Sequence, residues 1–373
     1  MCAIRCDTLQ TINRMTIYIL VGLLLFGLIA YFIFRPKPKS GLDKYYISTQ
    51  SQSNDRVKNL NLDKPSVNAS SILDTNKLSF PDIKRETENV DYKADPNREW
   101  IIDLVQVNGG VFKKEDFTKM FDYEWRSKYQ STIYGFSSEE NRWTYADAGG
   151  TPDIYSKLQV AIDVQGVFND ENPNYDPQKL ERYLTELEKR IKKYPTKLRI
   201  EQTETISNAI LKAKKLVQLY NEFNTDATIV LQSDKEYKGI EIWDALQSVG
   251  LRWGDGDLFH WSNNKDYGHD QHFSVWTTTE PGYFLPEQIK NGNTNPNNLV
   301  FGFSIPRSAD PKNIFEIMLN AVKYCQKRLG GHILDKNGQA FNEEKEIKNL
   351  NELLEEMKSK GIIAGSDKAL RMY

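Results

Sequence analysis

Cysteine is scarce in this chain of 373 residues: Cys2, Cys6 and Cys325 are all it has. A disulfide framework or a zinc site with paired thiolates cannot be built from that number and spacing. Excess charge of either sign is also lacking, the formal net charge being −2. General nucleic-acid binders carry a basic face, and this balance argues against one. No phosphate-cradling glycine loop, no nucleophile elbow with Ser, His and Asp, and no paired-carboxylate signature is present. A catalytic role and a bound cofactor are therefore not expected. Long apolar runs are lacking too, with a single exception at the N-terminus.

That exception is Met15 to Phe34, MTIYILVGLLLFGLIAYFIF, which holds no charged residue. A helix needs roughly 20 apolar residues to cross a bilayer, because nothing inside can satisfy the backbone. A cleaved signal peptide would have a shorter apolar core, about 7–15 residues, and a small-residue cleavage site. Here Tyr31, Phe32 and Phe34 lead into Arg35-Pro36-Lys37, and aromatics followed by cations suit a membrane interface. Arg5 and Arg14 precede the run, whereas Arg35, Lys37, Lys39 and Lys44 follow it. The larger basic count marks the cytoplasmic side. The expected plan is a short extracytoplasmic N-terminus (1–14), a transmembrane helix (15–34) and a cytoplasmic remainder at the inner membrane.

Residues 35–97 are rich in Ser, Asn, Asp and Lys, with isolated apolar residues and no period. Such a segment buries too little to offset its chain entropy, so a flexible linker is expected, with a reach on the order of 40 Å. An α+β domain is expected over 98–224. Strands are read at Trp100–Val105, Ile133–Phe136, Trp143–Tyr145, Lys157–Val164 and Leu198–Ile200, from their period of two. Helices are read at Lys113–Lys128, from Asp176-Pro177 onward, and at Thr205–Phe223. A second domain over 225–373 repeats the order. Strands are read at Ala227–Gln232, Leu258–Trp261, Phe273–Thr277 and Leu299–Ile305. Helices are read at Gly239–Val249, from Asp310-Pro311 to Gly330-Gly331, and from Asn342 to Lys360. A strand followed by Asp-Pro and a long helix thus occurs twice, and a diverged duplication is the expected origin.

The second half carries further landmarks in order: Tyr237-Lys-Gly239, Gly250-Leu-Arg-Trp-Gly-Asp255, Leu258-Phe-His260, Phe273-Ser274, Pro281-Gly-Tyr-Phe284, Ile305-Pro306 and Gly330-Gly-His-Ile-Leu-Asp335. Together they resemble the C-terminal FtsZ-binding domain family of the bacterial division protein ZipA. The resemblance covers about Ala227 to Gly361. It implies a split β-α-β fold, an antiparallel sheet with helices on one face. The other face would bind the C-terminal tail of FtsZ, the tubulin-like filament protein. It also implies a role in septum formation, with the Z-ring tethered to the inner membrane. The domain at 98–224 and the composition of the linker depart from the usual family plan.

Alternation assigns the faces independently of the resemblance. Leu299, Phe301, Phe303 and Ile305 form the larger apolar set and should meet the helices. Val300, Gly302 and Ser304 then line the open face. On the neighbouring strand Ser274, Trp276 and Thr278 share one face, opposite Phe273 and Val275, and Leu258 and His260 alternate with Phe259 and Trp261. By family matching, Gly256, Leu258, Trp276, Thr278, Glu280, Val300 and Gly302 fall on tail-contact positions, with Val230 and Thr228 from the first strand. The commonest family residues at 278, 280 and 302 are methionine, lysine and phenylalanine, so apolar area and a positive charge are missing here. Trp276 is expected to compensate as an aromatic anchor.

Other readings compete. His260, His269, Asp270 and His272 are close in sequence, and such residues bind zinc. The polar loop around them makes solvated side chains and a half-buried strand histidine the plainer reading. A sheet of this kind can also stack RNA bases, but most strand aromatics fall on the helix side and no basic stripe accompanies them. A membrane-anchored scaffold of the same fold with a different protein partner is the alternative of most weight.

Overall fold

A computed structural model of the protein describes residues 54–81, 91–165 and 178–373. The expected membrane span, the opening of the linker and the Asp176-Pro177 helix start lie outside the described residues. The chain divides into two compact units. One is built from residues 83–222. The other joins residues 223–371 to the segment that precedes the first unit. Both are mixed α/β units with antiparallel sheets.

The first domain opens with β1 (Glu99–Gln106) and a short pair, β2 (Phe112–Lys113) and β5 (Ile154–Tyr155). Helices α1 (Lys114–Met120) and α2 (Tyr123–Tyr129) follow β2. One helix was expected over 113–128. Asp122 breaks it, because its carboxylate accepts the Trp125 N–H at 2.9 Å and starts a new N-terminus. Next come β3 (Ser131–Ser137), β4 (Arg142–Tyr145), β6 (Lys157–Asp163), α3 (Gln178–Ile191), β7 (Leu198–Gln202) and α4 (Ile206–Phe223). The sheet order is β4-β3-β6-β1-β7. Beneath its helices, Trp125 stacks on Phe121 and Tyr183 at 4.9 and 5.0 Å, and Trp100 meets the edge of Tyr183 at 6.1 Å. These four rings are among the largest fully buried side chains of this core.

The second domain contains β8 (Asp226–Gln232), α5 (Gly239–Ser248), β9 (Arg252–Trp253), β10 (Phe259–Ser262), β11 (Gln271–Trp276), α6 (Pro286–Lys290), β12 (Asn298–Ser304), α7 (Pro311–Leu329), β13 (His332–Leu334), α8 (Glu343–Ser359) and α9 (Asp367–Met372). Its sheet runs β13-β8-β12-β11-β10-β9. Asp310 caps α7 through Asn313 N–H, and Gly330, at φ 80°, ends it. Asn342 caps α8 through the Lys345 N–H at 3.0 Å. The row Phe259, Val275, Phe301 and Ile229 crosses four strands in register and is fully buried. Trp243 of α5 stands edge-on to Phe259 at 4.8 Å, so this row faces the helices.

Strand order coincides over three strands, β6-β1-β7 in one domain and β12-β8-β13 in the other. Beyond them it departs. The first domain places β3 next to β6 and β4 outside it, whereas the second runs β11, β10, β9 outward from β12. The topology does not establish duplication of the whole domain.

Residues 54–81 differ from the expected flexible linker. Val57, Leu62, Leu73 and Leu78 are buried. The Trp243 indole N–H donates to the Leu62 carbonyl at 2.9 Å, and Ala69 N–H to the Ser248 carbonyl at 2.8 Å. Ser66 gives both its N–H and its hydroxyl to Asp244, each at 2.6 Å. Asp310 accepts the Ser79 N–H at 2.7 Å, and Phe80 lies against His272. The isolated apolar residues of this strap have no period because they follow the contour of the second domain, not a helix or strand of their own.

Candidate peptide-binding face

The side chains that alternate with the buried row make the other face of the second sheet. Trp276 stands opposite Val300, Val300 opposite Val230, and Val230 opposite Leu334 of β13. One step along, His260, Ser274, Gly302 and Thr228 form a parallel row. Leu258 directly precedes β10 and alternates with Phe259. Period-two geometry thus brings Leu258, Trp276, Val300, Gly302 and Val230 to one side of the sheet.

This face is more closed than alternation alone implies. Val300 is only 4% exposed and Leu258 6%, while Trp276 and Val230 are half-buried. A Cβ placed on Gly302 would come within 2.7 Å of Trp276 Cη2 and 3.2 Å of the Ala227 carbonyl oxygen. The indole therefore lies diagonally across the glycine, in the space a side chain at 302 would need. Trp276 is at once the largest side chain on this face and its partial cover.

The rim is polar. Thr278 is exposed, but its hydroxyl accepts a hydrogen bond from Asn298 Nδ2 at 2.8 Å and its N–H donates to Asn298 Oδ1 at 2.9 Å. The buried Asn298 also accepts from the Thr277 hydroxyl at 3.1 Å, fastening the end of β11 to β12. Glu280 is exposed just beyond. On the other side, Gly256 and Asp257 form a turn with φ of 65° and 59°, and Gly256 is exposed. A left-handed φ suits glycine but is uncommon for aspartate.

His260 is buried, with Nδ1 2.8 Å from the Ser274 hydroxyl and Nε2 2.7 Å from the Asp255 carbonyl oxygen. Burial lowers its pKa. Its ring nitrogens are engaged in holding β10, β11 and the 255–258 turn together. His272 packs against Trp261 at 4.5 Å, and burial pushes its pKa down to about 4. Among the described residues no group of three or more His, Cys, Asp or Glu side chains is placed to hold a metal ion.

Sequence reasoning did not find the contacts behind the 255–258 turn. Arg56 of the strap donates to both carboxylate oxygens of Glu287, at 2.6 and 2.5 Å. It lies 3.6 Å from Asp257 Oδ1 and 5.1 Å over the Trp253 ring. The signal was faint: one arginine beside Val57 in a polar stretch.

The second domain is thus of the class with an antiparallel sheet covered by helices on one side and an apolar row with a polar rim on the other. Residues 226–352 match the family model described as ZipA, C-terminal FtsZ-binding domain. Part of the chain is also similar to curated relatives named "Cell division protein ZipA". The one from Shewanella loihica is 28% identical over 116 residues, 31% of this chain and 34% of the relative. The one from Marinobacter nauticus is 28% identical over 107 residues, 29% of this chain and 31% of the relative. The one from Pseudomonas aeruginosa is 27% identical over 107 residues, 29% of this chain and 36% of the relative. The chain thus spans about a third of the length of these relatives.

Proposed function

We propose that the second domain binds the C-terminal tail of FtsZ on its open sheet face. In this reading the chain is a cell-division adaptor that tethers the Z-ring to the inner membrane through residues 15–34. The observation that carries it is the Trp276–Val300–Val230 row, on the face turned away from the helices, inside the segment that matches an FtsZ-binding family model. An aromatic anchor flanked by aliphatic side chains can dominate a small interface. Thr278, Glu280 and Gly256 would meet the ends of the peptide, and Leu258 its apolar side.

Two observations favour a second reading. Trp276 covers Gly302, and Glu280 would oppose an acidic tail. A different protein ligand, presenting a smaller or less acidic segment to the same face, would fit that furniture. Calorimetric titration of the full chain with the cognate FtsZ tail peptide separates the two. Trp276→Ala should weaken tail binding about 30-fold, equivalent to about 2 kcal/mol. Wild-type protein that ignores the peptide, or a Trp276→Ala variant that binds it equally well, would reject the tail-binding reading.

A further inference from the structure

We propose that the strap of residues 54–81 is a working part of the binding domain, and that Arg56 is a positioning residue for the Asp255–Leu258 turn at the edge of the open face. The proposal rests on the tail-binding reading for its functional consequence, and on geometry for the positioning itself.

The turn needs support. It carries two successive left-handed residues, of which Asp257 lacks the freedom of glycine. Its backbone is tied at a few points. Gly254 N–H donates to the Leu258 carbonyl at 2.9 Å, and Phe284 N–H to the Asp257 carbonyl at 2.8 Å. The Trp253 indole N–H in turn donates to the Phe284 carbonyl at 2.7 Å. Arg56 meets this assembly from outside at three points: Glu287 on α6, Asp257 in the turn, and the Trp253 ring. It therefore joins the turn to the helix and to the strand on either side of it.

A single exposed ion pair is a weak source of stability. Arg56 differs in that its backbone is already held. The next residue, Val57, is buried, and the strap is fastened further on by Leu62, Ser66 and Ala69. The two-pronged contact with Glu287 also fixes the plane of the guanidinium, which lysine could not do. Such a contact acts on geometry more than on global stability. Gly256 and Leu258 occupy the turn it braces, so its loss should lower the fraction of molecules with that edge of the face in place. Apparent affinity falls in proportion to that fraction.

The test uses the full chain in detergent, with two readouts. The first is amide hydrogen exchange at Gly254, Leu258 and Phe284. Arg56→Ala should speed exchange there about 10-fold, with the β12 amides unchanged, and Arg56→Lys should recover part of the protection. The second is titration with the FtsZ tail peptide, where Arg56→Ala should bind about 5-fold more weakly at an unchanged melting temperature. Unaltered exchange at the three amides overturns the positioning role whatever the ligand. Faster exchange with unaltered affinity overturns the link between strap and face. Wild-type protein that does not bind the peptide refutes the tail-binding reading and leaves the exchange result to decide the positioning role.

Discussion

The two domains share the order of three strands at one edge of each sheet and furnish their non-helical faces differently. In the second domain that face is narrow, with one indole lying across a glycine and aliphatic side chains beside it. In the first it carries Tyr134, Phe136, Trp143 and Tyr145, in cross-strand pairs of β3 and β4. Part of it is already taken by the chain itself. Tyr92 N–H donates to the Trp143 carbonyl at 3.0 Å, its ring meets Tyr145 at 5.1 Å, and Ala94 is buried with Ile101, Tyr134 and Ala161. Each domain therefore has an N-terminal arm of its own. The arm of the first lies on the sheet face, whereas that of the second leans on α5 and the start of α7. A shared strand core does not confer a shared surface, because the outer strands and the arms decide what the face presents.

The sharpest contrast between a core row and a face row is Phe301 against Phe136. Phe301 is fully buried under the helices of the second domain, and Phe301→Ala should cost about 3–5 kcal/mol through the cavity it leaves. Phe136 is half-buried on the sheet face of the first domain, and Phe136→Ala should cost less than half of that. Denaturant melts of the two variants measure both, and equal losses would break the assignment of faces.

Acid should also separate the domains. The four histidines of the chain, His260, His269, His272 and His332, are all in the second. The folded pKa of His272 is about 4, below its ordinary value of 6.5, because burial disfavours the cation. The unfolded chain therefore binds more protons between these values. The contribution of His272 to stability is complete above pH 6.5 and is lost as pH falls towards 4, by on the order of 2–3 kcal/mol. Melts of His272→Phe across this window should show a flatter decline than wild type, and an identical slope would remove His272 from the account.

A glycine lies under an aromatic ring in each domain, but on opposite faces. A Cβ on Gly135 would sit 2.3 Å from the ring of Tyr155, which is buried on the helix side and cannot retreat. Gly135→Ala should cost about 1–3 kcal/mol by overpacking. At Gly302 the half-buried Trp276 can swing outward, so Gly302→Ala should cost less and should change Trp276 fluorescence. The smallest expected effect is that of Glu280→Lys. It should strengthen binding of an acidic tail by under about 1 kcal/mol, more at low salt than at high salt. A salt-independent change would mean that the charge at 280 does not meet the ligand's.

Much of this was legible in the residue order. The alternation of Leu299, Phe301 and Phe303 against Val300 and Gly302 assigned both faces of β12, because successive strand residues point to opposite sides whatever surrounds them. Asp310-Pro311, Asn342 and Gly330 marked the helix ends, because capping is a local hydrogen-bonding matter. Local signals were weaker where two of them competed. The helical spacing of Phe117, Met120, Phe121 and Trp125 suggested one helix, while Asp122 had the chemistry to start a second, and did.

By itself, then, the sequence determined which residues share a strand face, where most helices begin and end, and the family resemblance borne by residues 226–352. Only the tertiary structure decided that Arg56 meets Glu287, 231 positions along the chain, that Trp276 lies over Gly302, and that the outer strands of the two sheets run in different orders. The division has a physical cause. Faces and caps follow from backbone geometry within a few residues, so their signal repeats at a readable period. The docking of a strap and the resting place of an indole depend on side chains that meet only after the chain has folded, and no local period records them.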